Sequence, residues 1–215
     1  MRRVVDVGCG SGRHALLFAS WGLEVVGVDP DPGMLAAARA NAAAVGLDVP
    51  FLEGGFGGVA DLVGETDALT CTGNALPHVS GVEGLREALA DFSAAVRPGG
   101  VLVLHLLNHD RLVDGRVRSV PPVVRDTPEG TKVFLRVLDH LDDGIRFDFL
   151  TLTRGPSGTW ALASRSSVHT VLRSAFLAGE LERAGFVGVA LFGDHAGAAF
   201  DPMMHESVIV TARRA

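Results

Sequence analysis

Short runs of consecutive apolar residues alternate, along the first half of the chain, with longer segments whose apolar residues recur at helical spacing. Continuous apolar runs are typical of strands that are buried on both faces, and helices between them are the usual connections of a parallel sheet. The pattern predicts strands at residues 4–7, 23–28, 49–52, 67–72 and 101–107. It predicts helices at residues 13–21, 32–45 and 82–96, the last of which stops at Pro98-Gly99-Gly100.

The second half changes to an alternation of apolar and polar residues, which indicates strands with one buried face. Segments 131–141 and 145–154 flank Asp142-Asp143-Gly144, a hairpin turn signal, and segment 159–171 follows a second turn. We therefore predict an antiparallel β insert at residues 111–171.

The carboxyl-terminal part returns to a helix, at residues 174–184, followed by strands at 186–192 and 207–212. The loop between these two strands is too short for a crossover helix, so the sheet should end in an antiparallel pair. The chain shows neither internal repeats nor a low-complexity linker. We predict a single domain that spans residues 1–215, with the insert as a subdomain within it.

Composition and charge narrow the class of protein. The chain has 215 residues, of which 47% are hydrophobic and 20% are charged, as suits a single globular domain. The net charge of −6 and the scattered basic residues argue against nucleic acid as a partner. No apolar run reaches the roughly 18 residues of a membrane-spanning helix, and the amino terminus lacks a signal-peptide core. We therefore expect a cytoplasmic protein that binds neither nucleic acid nor a membrane.

Cysteine usage excludes two kinds of site. Cys9 and Cys71 each lie alone in an apolar stretch, so the sequence offers neither a disulfide framework nor a paired-cysteine metal or redox site. We expect both to be reduced thiols and predict no metal site.

A glycine-rich loop stands between the first predicted strand and the first predicted helix. Gly8, Gly10 and Gly12 occupy alternate positions, which removes the side chains that would keep a ligand away from the backbone. The helix that follows directs free N–H groups and the positive end of its dipole at this loop, which favours an anion. Asp29, at the end of the second predicted strand, can accept hydrogen bonds from both hydroxyls of a ribose. Together they indicate a nucleoside ligand that carries a carboxylate or a phosphate.

Glycine spacing alone leaves two ligand classes open. Gly10, Gly12 and Ala15 also satisfy the G-x-G-x-x-G/A pattern of dinucleotide-binding proteins, in which an acidic residue such as Asp29 follows about 20 positions later. An NAD(P)-dependent oxidoreductase is therefore one alternative at this point.

Three segments together resemble a known family. Asp6 in the first strand and the G-x-G-x-G run at residues 8–12 resemble motif I of the class I S-adenosylmethionine-dependent methyltransferases. Residues 71–79 (Cys-Thr-Gly-Asn-Ala-Leu-Pro-His-Val) and 107–112 (Leu-Asn-His-Asp-Arg-Leu) are similar to segments of bacterial relatives of glycine and glycine/sarcosine N-methyltransferases. The resemblance implies an α/β fold. Its Rossmann-like sheet would have seven strands in the order 3-2-1-4-5-7-6, the last of them antiparallel, with the β insert after the fifth strand.

The resemblance also implies an activity. Its cofactor would be S-adenosylmethionine, and the reaction would transfer a methyl group to a nitrogen or oxygen atom of a small molecule that the sequence does not identify. A protein that binds S-adenosylmethionine without catalysis is a second alternative. The oligomeric state stays open, with a homodimer among the alternatives.

The positions that match the family imply the site residues. Those implied to bind the cofactor are Asp6, Gly8, Cys9, Gly10, Gly12, Asp29, Pro30, Met34, Gly55, Phe56, Thr72 and Gly73. Those implied to take part in catalysis are Asn74, His78, Asn108 and His109. Asn74 and His78 would face the methyl group and Asn108 the acceptor. A neutral imidazole of His78 or His109 could accept a proton from the acceptor.

Three departures from the family pattern change the expectations. Gly55 stands where related sequences usually place Asp or Asn against the adenine amino group, so that contact would be lost or would move to the backbone. Leu107 stands where glycine methyltransferases carry an Arg for the substrate carboxylate, so we expect a neutral acceptor to be preferred over glycine. Met1 falls almost on the first strand, where relatives have a preceding helical segment. Two interpretations stay open, that the start of the chain is misassigned or that the site is more open.

Overall fold

The computed structural model describes residues 2–128 and 130–215, which form two β sheets, six α-helices and one short 3-10 helix (Leu76–His78). The strands of the larger sheet are β1 (Arg3–Val7), β2 (Glu24–Asp29), β3 (Phe51–Glu53), β4 (Thr66–Cys71), β5 (Val96–Leu107), β10 (Phe186–Phe192) and β11 (Ser207–Arg214). Their order is β3-β2-β1-β4-β5-β11-β10, and β11 is antiparallel to both of its neighbours. This confirms the predicted seven-stranded α/β sheet and its closing antiparallel pair.

Helices cover both faces of this sheet. They are α1 (Arg13–Ser20), α2 (Pro32–Ala44), α3 (Val59–Val63), α4 (Gly81–Ala95), α5 (His109–Asp114) and α6 (Ser174–Arg183). The start of α2 follows from local sequence, because the Asp31 side chain accepts hydrogen bonds from the N–H groups of Gly33 and Met34, and Pro32 occupies the first turn. None of the helices in the described residues combines the length and the apolar character that a membrane crossing requires.

The main core lies between α4, α6 and the sheet. Leu85, Leu89 and Phe92 of α4 are fully buried, as are Leu177 and Leu181 of α6. Burial of large apolar side chains contributes roughly 1.5–3 kcal/mol each, so this cluster holds the sheet strands at fixed positions. The carboxyl ends of those strands therefore form a rigid edge for the loops that follow them.

The insert forms a separate antiparallel sheet in the order β6-β7-β8-β9. Its strands are β6 (Ser119–Thr127), β7 (Gly130–His140), β8 (Ile145–Arg154) and β9 (Trp160–His169). The last three match the predicted insert strands, whereas β6 and α5 were not predicted. The strand β6 was not predicted because prolines argue against a strand in the sequence. Pro121 and Pro122 are accommodated where the pairing register of β6 shifts, between Val120 and Val123.

The Pro98-Gly99-Gly100 segment behaves differently from the prediction. It was expected to separate a helix from a strand, but β5 begins at Val96 and runs through it. The pairing with β4 shifts at this place, between Thr66 and Ala68, and Gly99 adopts a φ of 74°. The breaker residues are therefore accommodated as an irregularity inside a strand.

Asn108 joins β5 to α5 and to the loop before β11. Its side-chain oxygen accepts a hydrogen bond from the Arg111 N–H (3.1 Å). Its amide nitrogen donates to the carbonyl oxygens of Pro202 and His205, both at 2.8 Å. Because Asn108 is 1% exposed, loss of this amide would leave buried polar groups without partners.

We expect Asn108→Ala to lower the free energy of unfolding by roughly 2–4 kcal/mol, because it removes a helix cap and two buried hydrogen bonds. Urea denaturation measures this change. Asn41→Ala is the matched control, since Asn41 is exposed and makes one bond, to the Ser11 carbonyl oxygen. A loss below about 0.5 kcal/mol for Asn108→Ala, the usual size of a surface substitution, would contradict this account.

Candidate functional site

A cavity of about 580 Å³ opens at the carboxyl ends of β1, β2 and β4. Open α/β sheets bind ligands at this edge. The structure brings together here most of the residues that the sequence predicted for the site. The predicted residues that line the cavity are Gly8, Cys9, Gly10, Asp29, Pro30, Met34, Gly55, Phe56, Thr72, Gly73, Asn74 and His78.

The glycine loop is held by the Asp29 carboxylate. Its Oδ2 accepts a hydrogen bond from the Gly10 N–H (2.8 Å), and its Oδ1 accepts one from the Asp31 N–H (2.9 Å). The loop after β1 is thereby fixed to the loop after β2. Asp29 still lines the cavity, and carboxylate oxygens can each accept a further hydrogen bond.

The three loop glycines serve different purposes, although all have positive φ. A Cβ at Gly8 would lie 2.6 Å from the Ala75 Cβ, so Gly8 permits close packing of two loops. A Cβ at Gly10 would meet nothing within 4 Å, so Gly10 keeps the cavity wall open. A Cβ at Gly12 would lie 2.8 Å from the Phe51 ring, and Gly12 does not line the cavity. Gly12 permits close packing between the loop and the sheet, and its predicted cofactor contact stays a prediction.

Asp6 and Cys9 are two further titratable residues at the loop. Asp6 is buried beneath the loop, outside the cavity wall, and accepts a hydrogen bond from the Thr70 hydroxyl (2.8 Å). Burial raises the pKa of Asp6 to about 6 despite this bond. Burial also raises the pKa of the Cys9 thiol to about 12, so Cys9 presents a neutral thiol to the cavity.

Gly55 and Phe56 form the wall opposite the glycine loop. A Cβ at Gly55 would meet nothing within 4 Å, so this part of the wall offers backbone groups and no side chain. Phe56 packs edge-on against Phe92, with ring centroids 5.9 Å apart, which fixes its ring beside the cavity.

His14 is a cavity residue that was not among the predicted site residues, because its place on the helix after the glycine loop indicated a structural role. It lies on α1, and its Nδ1 is 2.9 Å from the Thr72 hydroxyl oxygen. Burial, Arg13 and His195 lower its pKa. Its position one turn after the glycine loop was the only available signal.

A second cavity, of about 340 Å³, adjoins the first beneath the insert sheet. The two cavities share Gly73, Asn74 and His78. The other residues that line the second cavity are His105, Leu107, Arg136, Phe147, Phe149 and His169. The carboxyl end of β4 therefore lies at the junction between a nucleoside-sized space and a smaller one.

Asn74 fixes the geometry of this junction. Its backbone has a φ of 68°, which is uncommon for a residue with a side chain. Its Oδ1 accepts a hydrogen bond from the Leu107 N–H (2.9 Å), and its Nδ2 lies 3.3 Å from the Nδ1 of His169. The strained loop is thus tied to β5 on one side and to the insert on the other.

His169 is the second residue that the sequence reading missed. Its ring stacks on Phe147 and contacts His78 edge-on, both with centroids 4.2 Å apart, and its Nε2 lies 3.0 Å from the Ser167 hydroxyl oxygen. Burial, together with repulsion from His78 and His109, lowers its pKa to about 3. His169 is therefore a neutral support for His78 at physiological pH. Burial likewise lowers the pKa of His78.

The structure does not bring Asn108 and His109 to either cavity. Asn108 caps α5, as described above. His109 is 1% exposed, and its Nδ1 accepts a hydrogen bond from the Leu172 N–H (2.8 Å). Burial lowers the pKa of His109 to about 4. Both residues follow a strand end, as predicted, but their side chains are used inside the protein.

The expectation of a neutral acceptor omitted a cation that the fold supplies. Leu107 lines the second cavity, as expected, but Arg136 of β7 lines it too. The expectation was based on Leu107 alone, and Arg136 gives this cavity a permanent positive charge.

Comparisons with known proteins agree with this geometry. A family profile described as "Methyltransferase domain" matches residues 4–100. The chain is 36% identical over 121 residues to a glycine/sarcosine N-methyltransferase from Parasynechococcus marenigrum, which covers 53% of this chain and 41% of that protein. The chain spans about half the length, or less, of the curated relatives of this kind that it matches.

Solved structures share the fold across the whole chain. One is an S-adenosylmethionine-dependent methyltransferase from Clostridium acetobutylicum, with a TM-score of 0.82 and 13% identity, covering 100% of this chain and 84% of that one. Another is CalS10, an amino pentose methyltransferase from Micromonospora echinaspora, with a TM-score of 0.73 and 23% identity, covering 99% of this chain and 83% of that one.

Burial of His109 predicts a pH dependence of stability. Its folded pKa, about 4, is below its ordinary value of 6.5, so the unfolded chain binds a proton first as pH falls. This contribution to stability is complete above pH 6.5 and is lost as pH falls from 6.5 to about 4. His109→Asn retains an acceptor for the Leu172 N–H. It should therefore reduce the loss of unfolding free energy between pH 7 and pH 5 by about 1–2 kcal/mol.

Urea denaturation of both proteins at pH 7 and pH 5 measures this difference. Asn41→Ala, at an exposed position that carries no titratable group, is the control and should follow the wild-type pH dependence. If His109→Asn also retains the full wild-type loss, His109 does not titrate as its burial implies.

Proposed function

The chain belongs to the class I S-adenosylmethionine-dependent methyltransferases, and we propose from this premise that it transfers a methyl group from S-adenosylmethionine to an amine nitrogen of a small molecule. The observation that carries the proposal is the junction at Gly73, Asn74 and His78, which both cavities share. A donor in the larger cavity and an acceptor in the smaller one would meet there. We propose that this occurs in the cytoplasm, where the two free cysteines would stay reduced.

The larger cavity fits S-adenosylmethionine in size and in chemistry. Its volume of about 580 Å³ lies in the range of roughly 300–1,000 Å³ that is typical of small-molecule sites. Asp29 would accept hydrogen bonds from the ribose hydroxyls, and the loop at Gly10 leaves room for the amino-acid part. Phe56 and Met34 would flank the adenine, and the backbone at Gly55 would serve its amino group.

The protein's own contribution to the reaction is enclosure and proton acceptance. S-adenosylmethionine, when bound, supplies a methyl group activated by a positively charged sulfur. An amine acts as a nucleophile only when it has no proton on its lone pair, so an acceptor group beside it is useful. His78 lies at the junction, and its lowered pKa keeps its imidazole neutral at pH 7. The ring of His169, edge-on at 4.2 Å, holds His78 in place.

Nitrogen is favoured over oxygen as the acceptor atom by relatives such as the glycine/sarcosine N-methyltransferases, although ubiquinone biosynthesis O-methyltransferases also match. The matched proteins include a glycine/sarcosine N-methyltransferase and an amino pentose methyltransferase, whose names specify amine-bearing substrates. The sheet closes with the antiparallel pair of β10 and β11, and the fold is shared with solved methyltransferases. Both observations weigh against the alternative of an NAD(P)-dependent oxidoreductase.

We expect Gly10→Val to weaken binding of S-adenosylmethionine by at least roughly 100-fold, or about 2.7 kcal/mol, because its side chain would occupy the cavity. Isothermal titration calorimetry measures the affinity. Gly46→Val is the control, since Gly46 also has positive φ and free space around a Cβ, but it lies after α2 and does not line the cavity. Equal affinities in the two variants would show that the loop is not the binding site.

We expect transfer of radiolabelled methyl groups to at least one amine in a panel of glycine, sarcosine, benzylamine and 4-(aminomethyl)benzoate. His78→Gln should lower kcat for that amine by roughly 100-fold or more while affinity for S-adenosylmethionine changes little. His195→Gln, which lines neither cavity, is the control. Tight cofactor binding without transfer to any amine would favour a binding protein without catalysis and would contradict the proposal.

A further inference from the structure

Within the strand residues that the structure describes, the charged side chains on one face of the insert sheet are all basic. Cross-strand partners in an antiparallel sheet point to the same side, so the pairing register assigns each residue to a face. Arg136 is paired with Phe149, and Phe149 with Arg165, which puts all three on one face. Phe147 lies on the same face and lines the second cavity, so this is the face that covers the site. The charged residues on it are Arg125, Lys132, Arg136 and Arg165.

The carboxylates of the four insert strands all lie on the opposite face. They are Asp126, Asp139 and Asp148. Arg146 shares that face and forms ion pairs with Asp139 and Asp148. Arg146 on the outer face is therefore paired within the sheet, whereas no carboxylate of these strands lies on the cavity face beside Arg125, Arg136 or Arg165. This arrangement occurs in a chain whose net charge is −6.

Arg136 occupies the centre of the cationic face. It lines the second cavity together with His78 and Asn74. It also lines a groove of about 280 Å³ that continues from this cavity along the sheet to Arg125. Within the described residues, its guanidinium forms no hydrogen bond or ion pair, and its side chain is exposed. Among the described residues, this permanently charged group with five N–H donors therefore has no partner at the mouth of the second cavity.

We propose that Arg136 binds an anionic group, a carboxylate or a phosphate, on the methyl acceptor. This inference rests on the proposed function and specifies its substrate class: an amine at one end, an anion at the other, and an apolar part between them. A planar guanidinium binds both anions through two parallel hydrogen bonds. Phe147 and Phe149, on neighbouring positions of the same wall, would contact the apolar part.

Arg136 explains how a leucine can stand at position 107, where glycine methyltransferases carry an Arg for the substrate carboxylate. An anion bound beside Leu107, at the end of β5, would be enclosed by the central sheet. Arg136 instead places the anion on the insert, where the groove leads towards Arg125 and the outside. Small acceptors such as glycine, whose amine and carboxylate are adjacent, would then fit less well than longer ones.

Three matched amines test the proposal: 4-(aminomethyl)benzoate, 4-(aminomethyl)phenyl phosphate and the neutral 4-(aminomethyl)benzamide. Calorimetry in the presence of S-adenosylhomocysteine measures their binding without turnover. We expect the wild-type protein to bind at least one anionic probe tenfold or more tightly than the benzamide. Whether the carboxylate or the phosphate binds better identifies the source of the anion.

Arg136→Gln should reduce this preference to within about twofold. Arg154→Gln, on the opposite face of the same sheet, should retain it. Thermal melting checks that both variants are folded. A wild-type protein that binds no anionic probe, or binds it no better than the benzamide, overturns the proposal, as does a preference that survives in Arg136→Gln.

The anion site and the methyl transfer can be disproved separately. If binding of the anionic probe depends on Arg136 but no probe is methylated, the anion site stands and the proposed methyl transfer fails. If amines are methylated without regard to their charge, the methyl transfer stands and the anion site fails.

Discussion

Asn74 connects β4, β5 and the insert, the three parts of the molecule that meet where the two cavities join. Its backbone N–H donates to the carbonyl oxygen of His105, and its side-chain oxygen accepts from Leu107, so β4 and β5 are joined beyond the point where their ladder ends. Its amide nitrogen reaches His169 of the insert. Positive φ at this residue costs of order 1–3 kcal/mol and persists because these contacts determine its conformation. The position of the insert over the sheet, and so the shape of both cavities, depends on this residue.

Electrostatics distinguish the two cavities. The larger one contains the Asp29 carboxylate, which is already bound to two N–H groups and is therefore fixed in place. The smaller one contains the imidazoles of His78, His105 and His169, whose pKa values are all lowered by burial. These rings are neutral at pH 7, and Arg136 is the permanent charge among the residues that line the smaller cavity. The smaller cavity therefore has neutral imidazoles at one end and a cation at the other.

The cofactor side of the site could be predicted from the sequence because its signals are local. Alternate glycines between a strand and a helix, and an acid after the next strand, specify where these groups lie in any parallel sheet. The acceptor side depends on long-range geometry. Alternation along the insert strands indicates two faces without saying which one covers the site, so Arg136 and His169 were missed. Asn108 and His109 follow a strand end in the correct place, but α5 turns their side chains into the protein, which local sequence does not reveal.

The glycine loop and the cavity face of the insert differ in how freely their residues can be substituted. The cofactor loop has little freedom, since a single methyl group at Gly8 would clash with Ala75 and one at Gly12 with Phe51. The cavity face of the insert is different, because Arg136 and Arg165 are exposed and point from regular strands whose backbone bonds do not depend on the side chain. Substitutions on that face alter the charge and shape offered to the acceptor while leaving the Asn74 junction and the glycine loop unchanged. The cavity face of the insert is therefore the part of the site whose residues can vary most freely, and under the proposed function it would set acceptor specificity.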